Sequence, residues 1–392
     1  MAEPADAPPR LPHLPADIFM EILSRVGGVV AVVRCAATCK AWRRLILEPS
    51  FLSRHRVGSS SLLGFFFRDT SQKRAHRRRY LRRPTRFLLL HSSQPQATTE
   101  LHMSQFLPNA AGLSRFNAVV ASGAGRLALG RAKGSSGEPI RICVCDPMAG
   151  TSTFLPPLPT STTLFRESLV FLDADGSSFR LVAAVEMNWT GKILLRVFSS
   201  RTGQWGAALT AQPPDNLVVL FGSPAVVHHG AVHWICETRA HPYTVHALAV
   251  RLGQTEVSMR RVDLPLQAGI NRHNTKPLRL SSSAHQGCLS LVLLDKSVIS
   301  IWNFQDDGTA GKSWALHKTV YLMPDPFAPW WSPSIAALCD QSGSLFLTAG
   351  QGLFMVNLET GMTSKVCDAR CDKYECPYMP DLRSCLGAMK SF

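Results

Sequence analysis

Four cysteines lie within nineteen residues near residue 392: Cys367, Cys371, Cys376 and Cys385 in CDARCDKYECPYMPDLRSC. Thiolates so gathered are the most metal-like group in the chain. Their x3, x4, x8 spacing nonetheless lacks the tight C-x2-C knuckles of common zinc sites, and the reading is ordinary thiols. His229 and His233 stand four apart in HHGAVH. That pair binds zinc when it lies on one helix face with a glutamate beside the first histidine, whereas this stretch reads as a strand. DADG lacks the rest of a calcium loop and reads as a hairpin turn. SGAG and AGQG are glycine turns without the strand-to-helix context that phosphate binding needs. No Gly-x-Ser-x-Gly elbow occurs. No catalytic, cofactor-binding or metal-ligating residue is assigned, and the chain is expected not to be an enzyme.

The elements that would position any such residue come in two kinds. Residues 11–56 read as three short helices. LPADIFMEILSRV places Ile18, Ile22, Leu23 and Val26 on one stripe, with Pro15 near the first turn and Asp17 and Glu21 early in the helix. Gly27-Gly28 ends it. VVAVVRCAATC follows as a more uniformly apolar segment. In TCKAWRRLILEPSF, Cys39, Trp42 and Leu45/Ile46 share a face while Arg43 and Arg44 lie off it. A bundle this small is near the lower limit for folding alone, so its leftover apolar surface calls for a cover.

From residue 110 onward glycine turns recur in two interleaved sets. Gly125, Gly176, Gly230, Gly287 and Gly343 are spaced by 51, 54, 57 and 56 residues. Gly150, Gly203, Gly253, Gly308 and Gly361 are spaced by 53, 50, 55 and 53. Runs such as RICVCD, LLRVFS, SVISIWNF and LFMVNL flank them and have strand length and strand composition. Two hairpins per period make four strands, the unit of a β-propeller blade, and the period is kelch-like although no strict kelch signature is present. The predicted fold is mainly β: the helical module, then a kelch-like propeller of about six blades over 57–392. Its first blade, from SLLGFFFR and RFLLLH, is expected to share strands with the C-terminal end. A closed ring has no edges to protect, so 57–392 should fold apart from 11–56.

Composition bounds the rest. The chain has 392 residues, 18% charged and 45% hydrophobic, enough to bury a large core. MAEPADAPPR has the wrong character for a signal peptide, and no apolar run approaches the ~18 residues of a membrane span. Eleven cysteines, an odd number, fit free thiols in a reducing compartment. The formal net charge is +15, and residues 54–86 supply +10 of it with eleven Arg or Lys against Asp69. The basic loop 72–86 raises a nucleic-acid-binding alternative, but it lacks interleaved aromatics and reads as a solvated insertion or localisation patch. A glycan-binding propeller is the other alternative. Residues 1–10 read as a disordered arm.

Residues 14–52 resemble the F-box. The marks are Leu14-Pro15, Glu21-Ile22-Leu23, Cys39-Lys40, Trp42-Arg43 and Pro49-Ser50-Phe51. The departure is Gly27-Gly28, where many members have a proline-containing loop. An F-box followed by a propeller looks like a plant-type F-box protein. The resemblance implies the substrate-recognition subunit of an SCF-type ubiquitin ligase, acting in cytoplasm and/or nucleus. A Skp-family adaptor, and through it a cullin, would dock on Leu14, Pro15, Ile18, Glu21, Ile22, Leu23, Cys39 and Trp42, while the propeller captures an unidentified protein substrate. Neither a membrane nor a cofactor is implied.

The basic tract has few acids to pair with, so it is not expected to support the fold. Changing Arg77, Arg78, Arg79, Arg82 and Arg83 together to Gln should leave the melting temperature nearly unchanged, since surface substitutions usually stay within about 0.5 kcal/mol each. A large drop in a thermal melt would show instead that these arginines are structural.

Overall fold

The computed structural model describes residues 15–25, 29–38, 40–48, 50–51, 62–67, 86–90, 98–102, 116, 118–130, 141–158, 169–175, 178–187, 192–219, 224–238, 245–252, 256–265, 278–283, 287–305, 313–322, 333–339, 342–349, 352–368, 376–382 and 385–386. Three helices come first: α1 (Ala16–Arg25), α2 (Val29–Thr38) and α3 (Lys40–Leu47). Asp17 in the first turn of α1 and Arg25 in its last suit the helix dipole. None of the described helices is long and apolar enough to cross a membrane.

Among the described residues after these helices, the regular structure is chiefly β-strand, with a short 3-10 turn at Pro214–Asn216. In chain order, blade I holds β1 (Gly64–Phe67), β2 (Arg86–Leu90) and β3 (Thr98–His102), and blade II holds β4 (Ala118–Gly123), β5 (Arg126–Gly130), β6 (Ile142–Asp146) and β7 (Thr151–Phe154). Blade III holds β8 (Leu169–Asp175), β9 (Ser178–Met187), β10 (Ile193–Ser199) and an outer strand in two pieces, β11 (Gln204–Trp205) and β12 (Leu209–Ala211). Blade IV has its inner strand in two pieces, β13 (Leu217–Val219) and β14 (Val226–His228), then β15 (Ala231–Thr238), β16 (Val245–Leu252) and β17 (Val257–Asp263). Blade V is β18 (Leu278–Ser283), β19 (Cys288–Asp295), β20 (Val298–Gln305) and β21 (Ser313–Tyr321). Blade VI is β22 (Ser334–Cys339), β23 (Ser344–Ala349), β24 (Gly352–Asn357) and β25 (Thr363–Cys367). The last strand, β26 (Cys376–Tyr378), returns to blade I as its inner strand, in the order β26-β1-β2-β3.

Six antiparallel sheets of four strand positions therefore make a six-blade propeller, as the glycine period predicts. The inner strands touch in a closed circuit: β26 against β4, β4 against β8, β8 against β14, β14 against β18, β18 against β22, and β22 against β26. The seven described repeat glycines, Gly125, Gly150, Gly203, Gly230, Gly287, Gly343 and Gly361, all have positive φ between 59° and 76°. That backbone is open to glycine at little cost, which is why the turns keep it. Gly176, Gly253 and Gly308 lie outside the described residues. The inner strands β4, β8 and β22 each carry a register shift near their middle, at Val119/Ala121, Phe171/Asp173 and Ile335/Ala337. Such bulges add the local twist that a narrow ring centre requires.

Each blade buries both faces. Phe66 packs toward blade II, while Phe65 and Phe67 on the same strand pack toward blade VI. Leu181 and Ala183 face blade II, and Val182 and Ala184 face blade IV. Leu291 faces blade IV and Val292 blade VI. Successive side chains point to opposite faces of a strand, and here both faces are interior. That explains the near-continuous apolar runs such as GFFF and ICVCD, where a half-solvated sheet would alternate.

The antiparallel ladder also fixes the two faces of the ring. Turns between first and second strands (β4–β5, β14–β15, β18–β19) emerge on the same side as turns between third and fourth strands (β6–β7). The chain leaves β26 on that side too, so that Gly125, in the β4–β5 turn, lies against Asp381. We call this the hairpin face.

Ring closure rests on tight contacts. Gly64 pairs with Leu89 and Tyr378. A Cβ on Gly64 would stand 2.0 Å from the Leu88 carbonyl oxygen and 2.7 Å from the Phe87 ring. Gly64→Ala is expected to destabilise by at least the ~1–3 kcal/mol typical of overpacking. Gly203→Ala, whose Cβ meets nothing within 4 Å, should lose only the smaller cost of its left-handed turn. Thermal melts of the two variants should rank in that order; equal losses would contradict the tight closure.

Candidate functional site

The three helices do not close a core among themselves. Leu23, Val32, Ala36, Ile46 and Phe51 are buried together with Leu382, Cys385 and Leu386 from the turn that follows β26. Met20, Trp42, Leu45 and Met148 pack against this cluster. Met148 is held there by its own turn, because the Asp146 carboxylate accepts hydrogen bonds from the Met148 and Ala149 amides at 3.1 and 3.0 Å. Arg43 donates from Nη2 to the Leu386 carbonyl at 2.9 Å. The Cys385 amide donates to the Asp381 carbonyl at 3.0 Å, which winds the receiving turn. Burial, helped by the Asp381 and Asp146 charges, pushes the Cys385 thiol up to about 12, so it stays protonated and apolar. The module is thus seated on the hairpin face by the C-terminal turn and the β6–β7 turn of blade II.

This arrangement corrects one sequence expectation: the helical module and the propeller do not have wholly separate cores. Arg43, off the apolar face of α3, is half-buried and ties α3 to the C-terminal turn. Leu382 and Leu386 were not singled out, and Cys385 was read only as an ordinary thiol, although their i, i+3, i+4 spacing is the signal of one short amphipathic turn.

The expected docking residues divide by exposure. Ile18 and Ile22, one helical turn apart on α1, are 49% and 44% exposed. Pro15 ahead of them is exposed, and so is Glu21, which pairs with Arg25 at 2.8 Å. Leu47 at the end of α3 is 43% exposed. Leu23 instead is fully buried in the shared core, and Trp42 is half-buried against it. The predicted α1 stripe is therefore split, with Leu23 inward and Ile18 and Ile22 outward. Leu14, Val26 and Cys39 lie outside the described residues.

Other sequence candidates fall apart in space. Cys367, Cys376 and Cys385 belong to three different packing clusters, and Cys371 lies outside the described residues. Among the described residues no group of three His, Cys, Asp or Glu is placed to hold a metal ion. His229 occupies the β14–β15 turn at φ 47°, while His233 sits within β15. Asp173 of the DADG stretch is engaged by Arg180. Residues 72–85 of the basic loop lie outside the described residues, whereas Arg86 opens β2 and pairs with Glu100 of β3 at 2.8 Å.

Comparison with known proteins adds family and module. A family model described as "Domain of unknown function (DUF7595)" matches residues 89–392. A second, described as "F-box-like", matches residues 11–57. No curated protein matches the chain in sequence. Among solved structures, TolB from Acinetobacter baumannii is 12% identical, with 81% of this chain and 67% of that one covered at a TM-score of 0.45. A functionally unknown protein from Desulfotomaculum acetoxidans is 11% identical, covering 81% and 99%, TM-score 0.42. The periplasmic gluconolactonase PpgL from Pseudomonas aeruginosa is 12% identical, covering 78% and 82%, TM-score 0.40. At these TM-scores the likenesses carry no argument, and the architecture rests on the strand pairing above.

Because the helices borrow their core from the C-terminal turn, Leu386→Asp should loosen the module selectively. Leu386 is 0% exposed, and burying an unpaired carboxylate there costs several kcal/mol. Limited proteolysis should then release the helical module faster than in the wild type, with the β-rich far-ultraviolet spectrum retained. Unchanged protection of the module would refute the shared core.

Proposed function

This chain belongs to the DUF7595 family, with an F-box-like module ahead of the family domain, and from that premise we propose that it is the substrate-recognition subunit of an SCF-type ubiquitin ligase. The module docks a Skp-family adaptor, and through it a cullin, while the propeller captures a protein substrate. On this reading the chain supplies no reacting group; ubiquitin transfer belongs to its partners, and the work is done in the cytoplasm and/or nucleus.

The observation that carries the reading is the pair Ile18 and Ile22. The inward side of α1 already has its apolar partners, including those lent by the C-terminal turn. Ile18 and Ile22 contribute nothing to that core, and each stands nearly half exposed with Pro15 and Leu47 also on the surface. Large apolar side chains left out of a satisfied core mark an interaction site. An α1 stripe with anchors one turn apart fits docking against another protein's helices. Leu23 and the inward part of Trp42 act from beneath, by holding α1 and α3 in register.

Ile18→Asp combined with Ile22→Asp should abolish co-precipitation of adaptor and cullin. Losing two interface anchors at ~1–2 kcal/mol each amounts to roughly 30- to 1000-fold in affinity. The melting temperature should not fall, because neither side chain is in the core. Wild-type adaptor recovery by the folded double variant would overturn the assignment.

A further inference from the structure

Between blades IV and V a cavity of about 680 Å³ opens on the hairpin face. Its blade IV wall consists of two adjacent rows of one sheet face. Register places Val226, His233, Ala249 and Arg260 in one row across β14 to β17. The next row is His228, Ala231, Arg251 and Ser258. The alanines at 231 and 249 leave the middle of the sheet hollow. Facing it from blade V are Cys288, Leu289 and Phe304, beside the Gly287 turn. The floor is thus apolar and partly aromatic, and the volume is that of a site for a small organic group.

Among the described residues, the polar groups converging on this hollow are all basic or neutral, and no aspartate or glutamate lines it. His228 and His229 stack with ring centroids 4.0 Å apart. His228 Nδ1 is 3.1 Å from Ser282 Oγ of blade V, which fixes the wall across the blade boundary. His233 is only 6% exposed; its Nδ1 has no hydrogen-bond partner of good geometry, although the Ala231 and Val226 backbone groups lie close enough to favour its charged form. A buried ring nitrogen without a partner costs free energy that a ligand would restore. Burial first, then the His228 ring, holds the His233 imidazole down to about 4, so it is neutral at pH 7 and can donate one hydrogen bond. Arg251 and Arg260 are diagonal neighbours on β16 and β17 and form no ion pair among the described residues. Like charges so placed repel unless an anion lies between them.

We propose that this groove binds an anionic group, a carboxylate or phosphate, carried on an apolar or aromatic body, with Arg251 and Arg260 meeting the charge, His233 hydrogen-bonding it, and the Phe304 side holding the body. The same chemistry could arrive as a small molecule or as an acidic or phosphorylated side chain of a captured protein. The second source rests on the receptor reading above; the binding itself does not.

The test uses the full chain and isothermal titration calorimetry with phenyl phosphate, benzoate and neutral benzyl alcohol. Phenyl phosphate or benzoate should bind, benzyl alcohol should not, and Arg251→Gln with Arg260→Gln should weaken the anion at least tenfold. Both arginines are exposed, so this variant is expected to fold and to retain adaptor co-precipitation, which separates the groove from the F-box. Ala249→Leu, which fills the hollow, should abolish binding while leaving the arginines in place. Phosphotyrosine and phosphoserine peptides, with their unphosphorylated counterparts, assign the source. Phosphopeptides tighter than phenyl phosphate by tenfold or more point to a protein side chain, and equal or weaker binding points to a small molecule. Absence of binding by every anionic probe at about 10 mM, weaker than −3 kcal/mol or so, overturns the proposal. So does anion binding that the arginine substitutions leave unchanged.

Discussion

The pairing of β26 with β1 is the constraint on which the rest of the molecule depends. Phe66 pairs with Cys376 and Gly64 with Tyr378, joining segments more than three hundred residues apart. Phe66, Phe87 and Tyr378 then pack their rings at centroid separations of 4.7, 6.1 and 6.3 Å. Edge and tilted contacts of this kind add about 0.5–1.5 kcal/mol each beyond burial. The Tyr378 hydroxyl donates to the Gly125 carbonyl at 3.1 Å, so the closing strand is bonded to blade II as well as to blade I. Burial raises the hydroxyl well above its ordinary range, and it serves as a neutral donor at any ordinary pH. Without this strand, blade I would lack its inner position and blades II and VI would each lose a neighbour.

Closure has a kinetic side. The interior of the ring is built from contacts between adjacent blades, most of them close in sequence, but the blade I to blade VI core cannot form until the two ends meet. Phe65 and Phe67 wait for Ala336, Phe346 and Leu353. Long-range pairing of this sort pays its loop-closure entropy late and slows folding. The helical module is drawn into the same event, since Leu382, Cys385 and Leu386 reach it only after β26 is seated. Assembly of the F-box core is therefore coupled to completion of the propeller.

Much of this was legible in the sequence, for a physical reason. A turn that requires positive φ selects glycine strongly, so Gly125, Gly150, Gly203, Gly230, Gly287, Gly343 and Gly361 printed the blade period directly. Strands buried on both faces wrote themselves as apolar runs. The three helices and their apolar positions were readable from spacing, yet the direction each residue faces was not. Ile22 and Leu23 are adjacent and equally apolar, and only the position of the C-terminal turn sends one outward and the other in. Arg43 was placed off the apolar face by spacing, but its partner was not legible, since only its long stem and the fold let it cross to the Leu386 carbonyl. The groove was illegible for a different reason: His233, Arg251 and Arg260 lie on three strands, and the register that aligns them is tertiary information. HHGAVH announced a hairpin correctly and gave no sign of what faced it.

The placement of the two sites on one face has a consequence for geometry. The helical module seats beside blades I and II, where β26 ends and the β6–β7 turn rises, and the groove lies between blades IV and V on that same hairpin face. Both are fixed to a ring whose neighbouring blades interlock through buried side chains on their inner and middle strands. An adaptor held by Ile18 and Ile22 and a group held by Arg251 and Arg260 would therefore share one side of a rigid disc. Their separation would be set by blade positions around the ring and not by a flexible tether. A ring that closes through its own C-terminal strand, and then uses the next turn to seat the helices, converts the position of blade I into the orientation of the helical module.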